Sequence, residues 1–452
     1  MLLTERLGKL DQASNIAMPA ENPDFGGLPN LETITIIREL MSLKSKLSLS
    51  DVLACLRRSR ATDPRDMVYG LLSLIPNKAL HPDYSNATTQ DVYIALVEQC
   101  ITEEKSLDII TLCRRSASAL SLPSWVPDWT ESYERGDELH GELLDGDLPT
   151  QPLILKYGSG EHLRSFTLID DPFPVLNVEG IPRRLTPWSA DNKKDPVATV
   201  QRSSSSSVAL LVARGVAVGN ITSLGSFTNR DADDGDLFFF DVLSDWEEVL
   251  LKQFGLCRDM VKGKDLLDVF DRCLDILTQY LIRNGVDFAD ERREKLQKRE
   301  AQRMHRRERY TNTDASYNWK GGVVEAFIRT ILADMDEDSQ RISSSKYDKI
   351  WDIDTSMSSE WNTEIFTLPY ATNRRLFVAN VSDGCYIGLA PIKAQVGDQV
   401  SVLFGCSVPV VLREVGDGFT FVGEAFAHGL MDGEAIRKAD LGLWSEKEFV
   451  IA

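Results

Sequence analysis

The chain has 452 residues, with 69 acidic and 50 basic side chains, giving a net charge of −19 at pH 7. That excess argues against a nucleic-acid binder, whose phosphate contacts need clustered Lys and Arg, and against docking on anionic membrane surfaces. A hydrophobic fraction of 43% with 26% charged residues fits a soluble globular chain of two or three domains.

The seven cysteines form no CxxC pair and mostly sit in apolar runs, which reads as small buried hydrophobes in a reducing compartment. The five histidines are scattered, so no metal site is expected. The N-terminus lacks the apolar core of a signal peptide, and no run of about 18 apolar residues occurs. A cytoplasmic protein without stable membrane insertion is expected.

Along the chain, residues 1–29 carry little pattern. Helical periodicity runs from Leu31 to Leu43, and Ser48 to Asp51 opens a short helix through Leu56. Asp63-Pro64-Arg65-Asp66 reads as a helix start, followed by Val68, Leu71, Leu72 and Leu74 at helical spacing. Thr88 to Asp91 is a capping-box candidate, and the helix after it places Val92, Leu96, Val97 and Cys100 on one stripe. Leu107–Leu112 reads as a short strand or buried run. Pro123 to Trp129 reads as an extended, packed segment.

After about residue 150 the pattern changes. Val175–Gly180 and Ala209–Val218 look like strands ending in glycine turns. The serine run 203–207 reads as a loop. Asn229–Asp236 is an acidic loop without calcium-loop spacing. Ser244 to Glu247 reads as a capping box before an apolar helix. Asp265–Leu281 and Gly321–Leu332 read as further helices, and a charged insert lies near 286–312. The last ninety residues alternate short apolar strands with glycine turns: Arg375–Asn380, Cys385–Pro391, Val400–Phe404, Val408–Arg413 and Phe419–Glu424. They suggest an antiparallel sheet or small barrel.

No GxSxG elbow, Walker loop, GxGxxG or HExxH motif occurs. Asp63 and Asp66 could do acid–base work or cap a helix and pair with Arg65. His81 reads as a loop residue. His428 lies near Glu424, Asp432 and Glu434 in sequence; the group is a functional cluster or a structural hydrogen-bonding set. Trp125 and Trp129 line a cleft or anchor a core.

Two blocks resemble the fungal heterokaryon-incompatibility (HET) domain proteins. The first runs from Ala61 through Asp63, Pro64, Arg65, Asp66, Tyr69 and Leu74. It continues with Pro82, Asp83 and Tyr84, and then with Trp125, Pro127 and Trp129. The second comprises Gly388–Pro391, Gly397, Asp398, Arg413, Gly423, Glu424, His428, Gly429, Gly433 and Glu434. The resemblance implies an α+β protein. Residues 1–140 would be a helical remnant of a HET domain, which is TIR-like. Residues 150–370 would be a mixed middle region, and 371–452 a β-rich segment packing on the rest. The family's opening blocks, Tyr-x-x-Leu-Ser-Tyr-x-Trp-Gly-like and Asp-x-x-Cys-Ile-Asn-Gln-like, are not seen here.

The resemblance implies self/non-self recognition through contacts with other proteins, with programmed cell death as output. No cofactor is implied and no catalytic residue is carried over. The alternatives are a nucleotide hydrolase of the NAD-cleaving kind, related to TIR domains, and a truncated or degenerate gene product.

Overall fold

A computed structural model describes residues 61–70, 72, 80–113, 120–130, 188–202, 209–227, 235–256, 265–271, 309–310, 322–334, 341–345, 347, 374–382 and 384–452. The expected helices between 31 and 56, the Val175 strand, the serine run, most of the acidic loop and nearly all of the charged insert lie outside these residues.

The first described element is a four-residue helix, α1 (Asp66–Tyr69). Helix α2 (Thr89–Glu104) starts on a complete capping box. Asp91 N donates to Thr88 Oγ1 at 3.1 Å, and Thr88 N donates back to the Asp91 carboxylate at 3.0 Å. Val92, Leu96, Val97 and Cys100 are all buried, as their spacing demands. The run after α2 is a buried 3₁₀ helix, Asp108–Leu112, and not a strand. Within it Thr111 Oγ1 donates back to Asp108 O at 2.7 Å.

Trp129 meets Tyr93 of α2 edge to face at 4.8 Å, and Tyr93 Oη donates to Pro64 O at 2.8 Å. Tyr93 therefore ties the Asp63–Asp66 turn to the tryptophan segment in one unit. Edge-to-face pairs of this kind add about 1 kcal/mol beyond burial.

Nine strands form one sheet among the described residues: β1 (Ala198–Arg202), β2 (Ala209–Phe227), β3 (Arg374–Val381), β4 (Gly384–Pro391), β5 (Gln399–Leu403), β6 (Val410–Val415), β7 (Gly418–Glu424), β8 (Phe426–Ala427) and β9 (Glu446–Ile451). The pairing order is β5–β6–β7–β9–β2–β3–β4–β8, and β5 also pairs with β2. That second pairing closes β2, β5, β6, β7 and β9 into a ring. The closing contact β7–β9 is parallel, where Ala452 N donates to Phe419 O at 2.8 Å. Closure removes unpaired edges from the ring.

The sheet is not confined to the C-terminal segment, because its longest strand is β2. At 19 residues, β2 runs on past Val218, where a glycine turn was expected to end it, and carries both Gly215 and Gly219 within it. A Cβ at Gly215 would lie 2.4 Å from Val402 O, and one at Gly219 would lie 2.2 Å from Asn380 O. These glycines admit neighbouring backbones and do not turn the chain.

Both faces of the sheet are buried. Leu211 and Ala213 of β2, with Leu376 and Val378 of β3, join one core. That core also takes α2, the 3₁₀ helix, α3 (Gly235–Phe254) and α4 (Gly322–Ile331). Val216 and Val218, with Phe377 and Ala379, fill the other core, which Ala435 and Ile436 of α5 (Glu434–Asp440) complete. Double burial explains why these strands read as apolar runs more than as alternating patterns. Ser244 stands inside α3, so it starts no helix. Instead Asp245 accepts from Ser226 N at 2.5 Å, and Trp246 Nε1 donates to Ser226 O at 2.7 Å, fastening α3 to the end of β2.

Candidate functional site

The first motif block builds a polar staple. Arg65 forks onto Asp63 through Nε and Nη2 at 3.0 and 2.7 Å. Its Nη1 donates to Tyr84 O and Ala87 O, each at 3.0 Å. The guanidinium lies 5.0 Å from the centroid of the Tyr84 ring, and the Tyr84 hydroxyl bonds Asp66. That hydrogen bond pushes the Tyr84 hydroxyl up to about 12. Hydrogen bonds from Arg65 hold the Asp63 carboxyl below its usual range. Asp83 N donates to Tyr69 Oη at 3.1 Å, and the Asp83 carboxylate caps Ser85 and Asn86. Asp63 and Asp66 are thus spent on joining two loops. Pro82 is exposed, while Trp125, Pro127 and Trp129 are buried.

The second block forms three separate clusters. Asp398 accepts both arms of Arg413 at 2.8 and 2.9 Å, and Gln395 N at 2.8 Å. This bidentate pair pins the turn containing Gly397 to β6. Hydrogen bonding to Asp398 raises the Arg413 pKa. Glu424 ends β7 and accepts Arg374 Nη2 at 2.5 Å, with Arg374 only 1% exposed. Beside it Gly423 has φ +152°, and a Cβ there would sit 2.6 Å from Pro391 Cγ. Gly423 and Glu424 therefore clamp β7 against the β3–β4 hairpin.

The third cluster surrounds His428. His428 is buried, and its backbone N–H donates to Ile387 O at 3.0 Å. Burial, helped by Arg329 and Arg341, pushes its imidazole down to about 3. Arg329 of α4 bonds Glu325 at 2.7 Å, Ile342 O at 2.8 Å and Asp334. Arg341 bridges Asp334 at 2.7 Å to Asp432 at 2.9 and 3.0 Å. Gly429 and Gly433 both take positive φ in the loop leading to α5. Glu434 accepts from Asp432 N at 2.8 Å, and burial raises its carboxyl. The His428 loop is thus fastened to α4 by two arginines, with a neutral imidazole beneath.

The seam between the N-terminal unit and the barrel was not expected from any motif. Asp108 is 8% exposed and accepts Ser407 N at 2.6 Å, as well as the Ser407 hydroxyl. Leu107 N donates to Gly405 O at 2.7 Å. Ser124 N donates to Ala452 O at 3.1 Å, and Phe421 N donates to Ser124 Oγ at 2.9 Å. The available signal was one acid inside the apolar run Leu107–Leu112, because a buried carboxylate needs partners. Asp108→Ala should cost about 3 kcal/mol, since it strands two buried donors. The check is the guanidinium unfolding midpoint, with Asp108→Asn losing less.

A groove of about 530 Å³ opens beside the middle of β2. Ala217, Val218 and Gly219 of β2 line it together with Val381, Ser382 and Trp444. Among the described residues no three His, Cys, Asp or Glu side chains are placed to hold a metal ion, and no helix is long and apolar enough to cross a membrane.

The family model for the Het-6 beta-barrel domain matches residues 209–442. No curated protein and no solved structure matches the chain. The matched span opens at the first residue of β2, takes in β3 to β8 and passes α5, leaving only β9 and the short β1 outside it. Covering just over half of the chain and most of the ring seen here, it shows that the chain belongs to the Het-6 beta-barrel domain family and fits a fungal heterokaryon-incompatibility-type protein.

Proposed function

We propose that this chain serves self/non-self recognition in heterokaryon incompatibility, acting through protein contacts without catalysis, with programmed cell death as output. The observation that carries the reading is how the chemically capable motif residues are used. Asp398, Arg413, Glu424 and His428 are committed to holding the barrel together, by ion pairs or by burial. A general acid or base needs reach to a substrate proton, and burial denies the His428 imidazole that reach.

The test is expression of the full chain in a fungal host, confronted with strains that differ in incompatibility type and scored by viability of the fused cells. Death in some pairings and survival in others is expected. Purified chain that consumes NAD, with turnover abolished by Glu434→Gln or Asp432→Asn, overturns the reading in favour of a nucleotide hydrolase.

A further inference from the structure

We propose that the groove beside β2 binds an extended, uncharged peptide segment of a partner protein. This rests on the recognition reading above and names the kind of surface recognised. On one flank, β2 pairs with β9 through Leu211–Val216 and with β3 through Asn220–Phe227. Ala217–Gly219 therefore lie between two strand ends that part from each other. The split is three residues long, about 10 Å at strand rise. An extended segment of similar length matches it, as in strand addition to an open sheet flank.

Charge selects the ligand class. No ionisable side chain lines the groove, although the chain carries a net −19. A charged ligand would be desolvated there without a counter-charge. The carboxamides of Asn220 and Asn380 and the hydroxyls of Ser382 and Ser445 are exposed and make no hydrogen bond among the described residues. A carboxamide offers both donor and acceptor, the complement of a peptide unit. The rim supplies apolar contact. Leu441 and Leu443 are 75% and 66% exposed, on either side of Gly442 at φ +72°. Leu443, which lines the groove, offers an anchor for an apolar side chain of the segment, and Leu441 stands exposed two residues before it.

The experiment selects a phage-displayed random heptapeptide library on the full chain. Uncharged sequences with an apolar residue are expected. Their binding should fall at least tenfold with Leu443→Glu and with Asn380→Asp. It should be unchanged by Val415→Glu, which alters an exposed β6 valine outside the groove. All three variants must keep the parent thermal midpoint, and Ser382→Asp, at another lining residue, replaces either groove variant that does not. A charged consensus, peptides indifferent to the groove substitutions, or binding of a glucose or N-acetylglucosamine trisaccharide without any peptide overturns the proposal. In the viability assay, a response that survives Leu443→Glu also overturns the groove while leaving recognition standing. No response from the unsubstituted chain overturns recognition itself.

Discussion

Arg374→Ala should lower the unfolding free energy by about 3–5 kcal/mol, the largest single-residue loss expected in the barrel. Arg374 opens β3 and is 1% exposed; its Nη2 meets Glu424 Oε1 at 2.5 Å, and its Nη1 reaches Glu424 O at 3.3 Å. Removing the guanidinium leaves a carboxylate that is 7% exposed facing no cation from β3. Its desolvation is then unbalanced, which costs more than the ion pair itself contributes. Arg374→Lys should lose most of the same amount, because an ammonium cannot bond the carboxylate and the Glu424 carbonyl with a planar fork. Arg374→Met combined with Glu424→Leu should recover much of the loss, since it removes both members of the buried pair. Guanidinium unfolding of the four proteins decides it. If the double variant is no more stable than Arg374→Ala, the clamp does not depend on charge pairing.

Acidification should destabilise the protein through His428 before the carboxylates titrate. The folded imidazole sits at about 3 against an ordinary 6.5, so the unfolded chain takes up the proton first. Stability from this group is therefore complete above about pH 6.5 and is lost as the pH falls towards 3. Between pH 7 and pH 5 the expected loss is about 2 kcal/mol, at up to about 1.4 kcal/mol per pH unit. Burial is the main cause, and Arg329 and Arg341 add to it from α4 and from the segment after it. His428→Gln should be less stable at pH 7 but should lose that slope. Unfolding midpoints at half-unit intervals between pH 7 and 5 test this. A His428→Gln protein with an unchanged slope would mean that another group carries the acid sensitivity.

Local chemistry was legible at several places where the partners are close in sequence, although the Ser244–Glu247 spacing opened no helix. The Thr88–Asp91 box, the α2 stripe and the β3–β4 hairpin depend on spacings of three, four or a few residues, and each formed as expected. The fit to a heterokaryon-incompatibility-type protein was also legible in the order of its short motif blocks. Failures came where the partner is distant. A glycine turn was expected after Val218 because the strand that crowds Gly219 lies more than 150 residues away. Leu107–Leu112 read as a short strand or a buried run, and it is the buried run, because an apolar stretch this short has no period that separates a strand from a buried 3₁₀ turn.

The candidate sites divide in the same way. The sequence named Asp398, Arg413, Glu424 and His428, but it could not say which of them meet. Asp398 and Arg413 join across a short loop, Glu424 takes its partner from β3, and His428 is set among arginines from α4 and beyond. Asp108 and the groove carried no motif at all. What the sequence alone determined was composition, caps, hairpins and family character, since these follow from short-range sterics and hydrogen bonding. Ring closure through β5 and β9, the docking of Asp108 on Ser407 and the split beside β2 were decided only by tertiary structure. Each arises where elements separated by up to about 300 residues compete for the same backbone groups, and no local spacing records which of them wins.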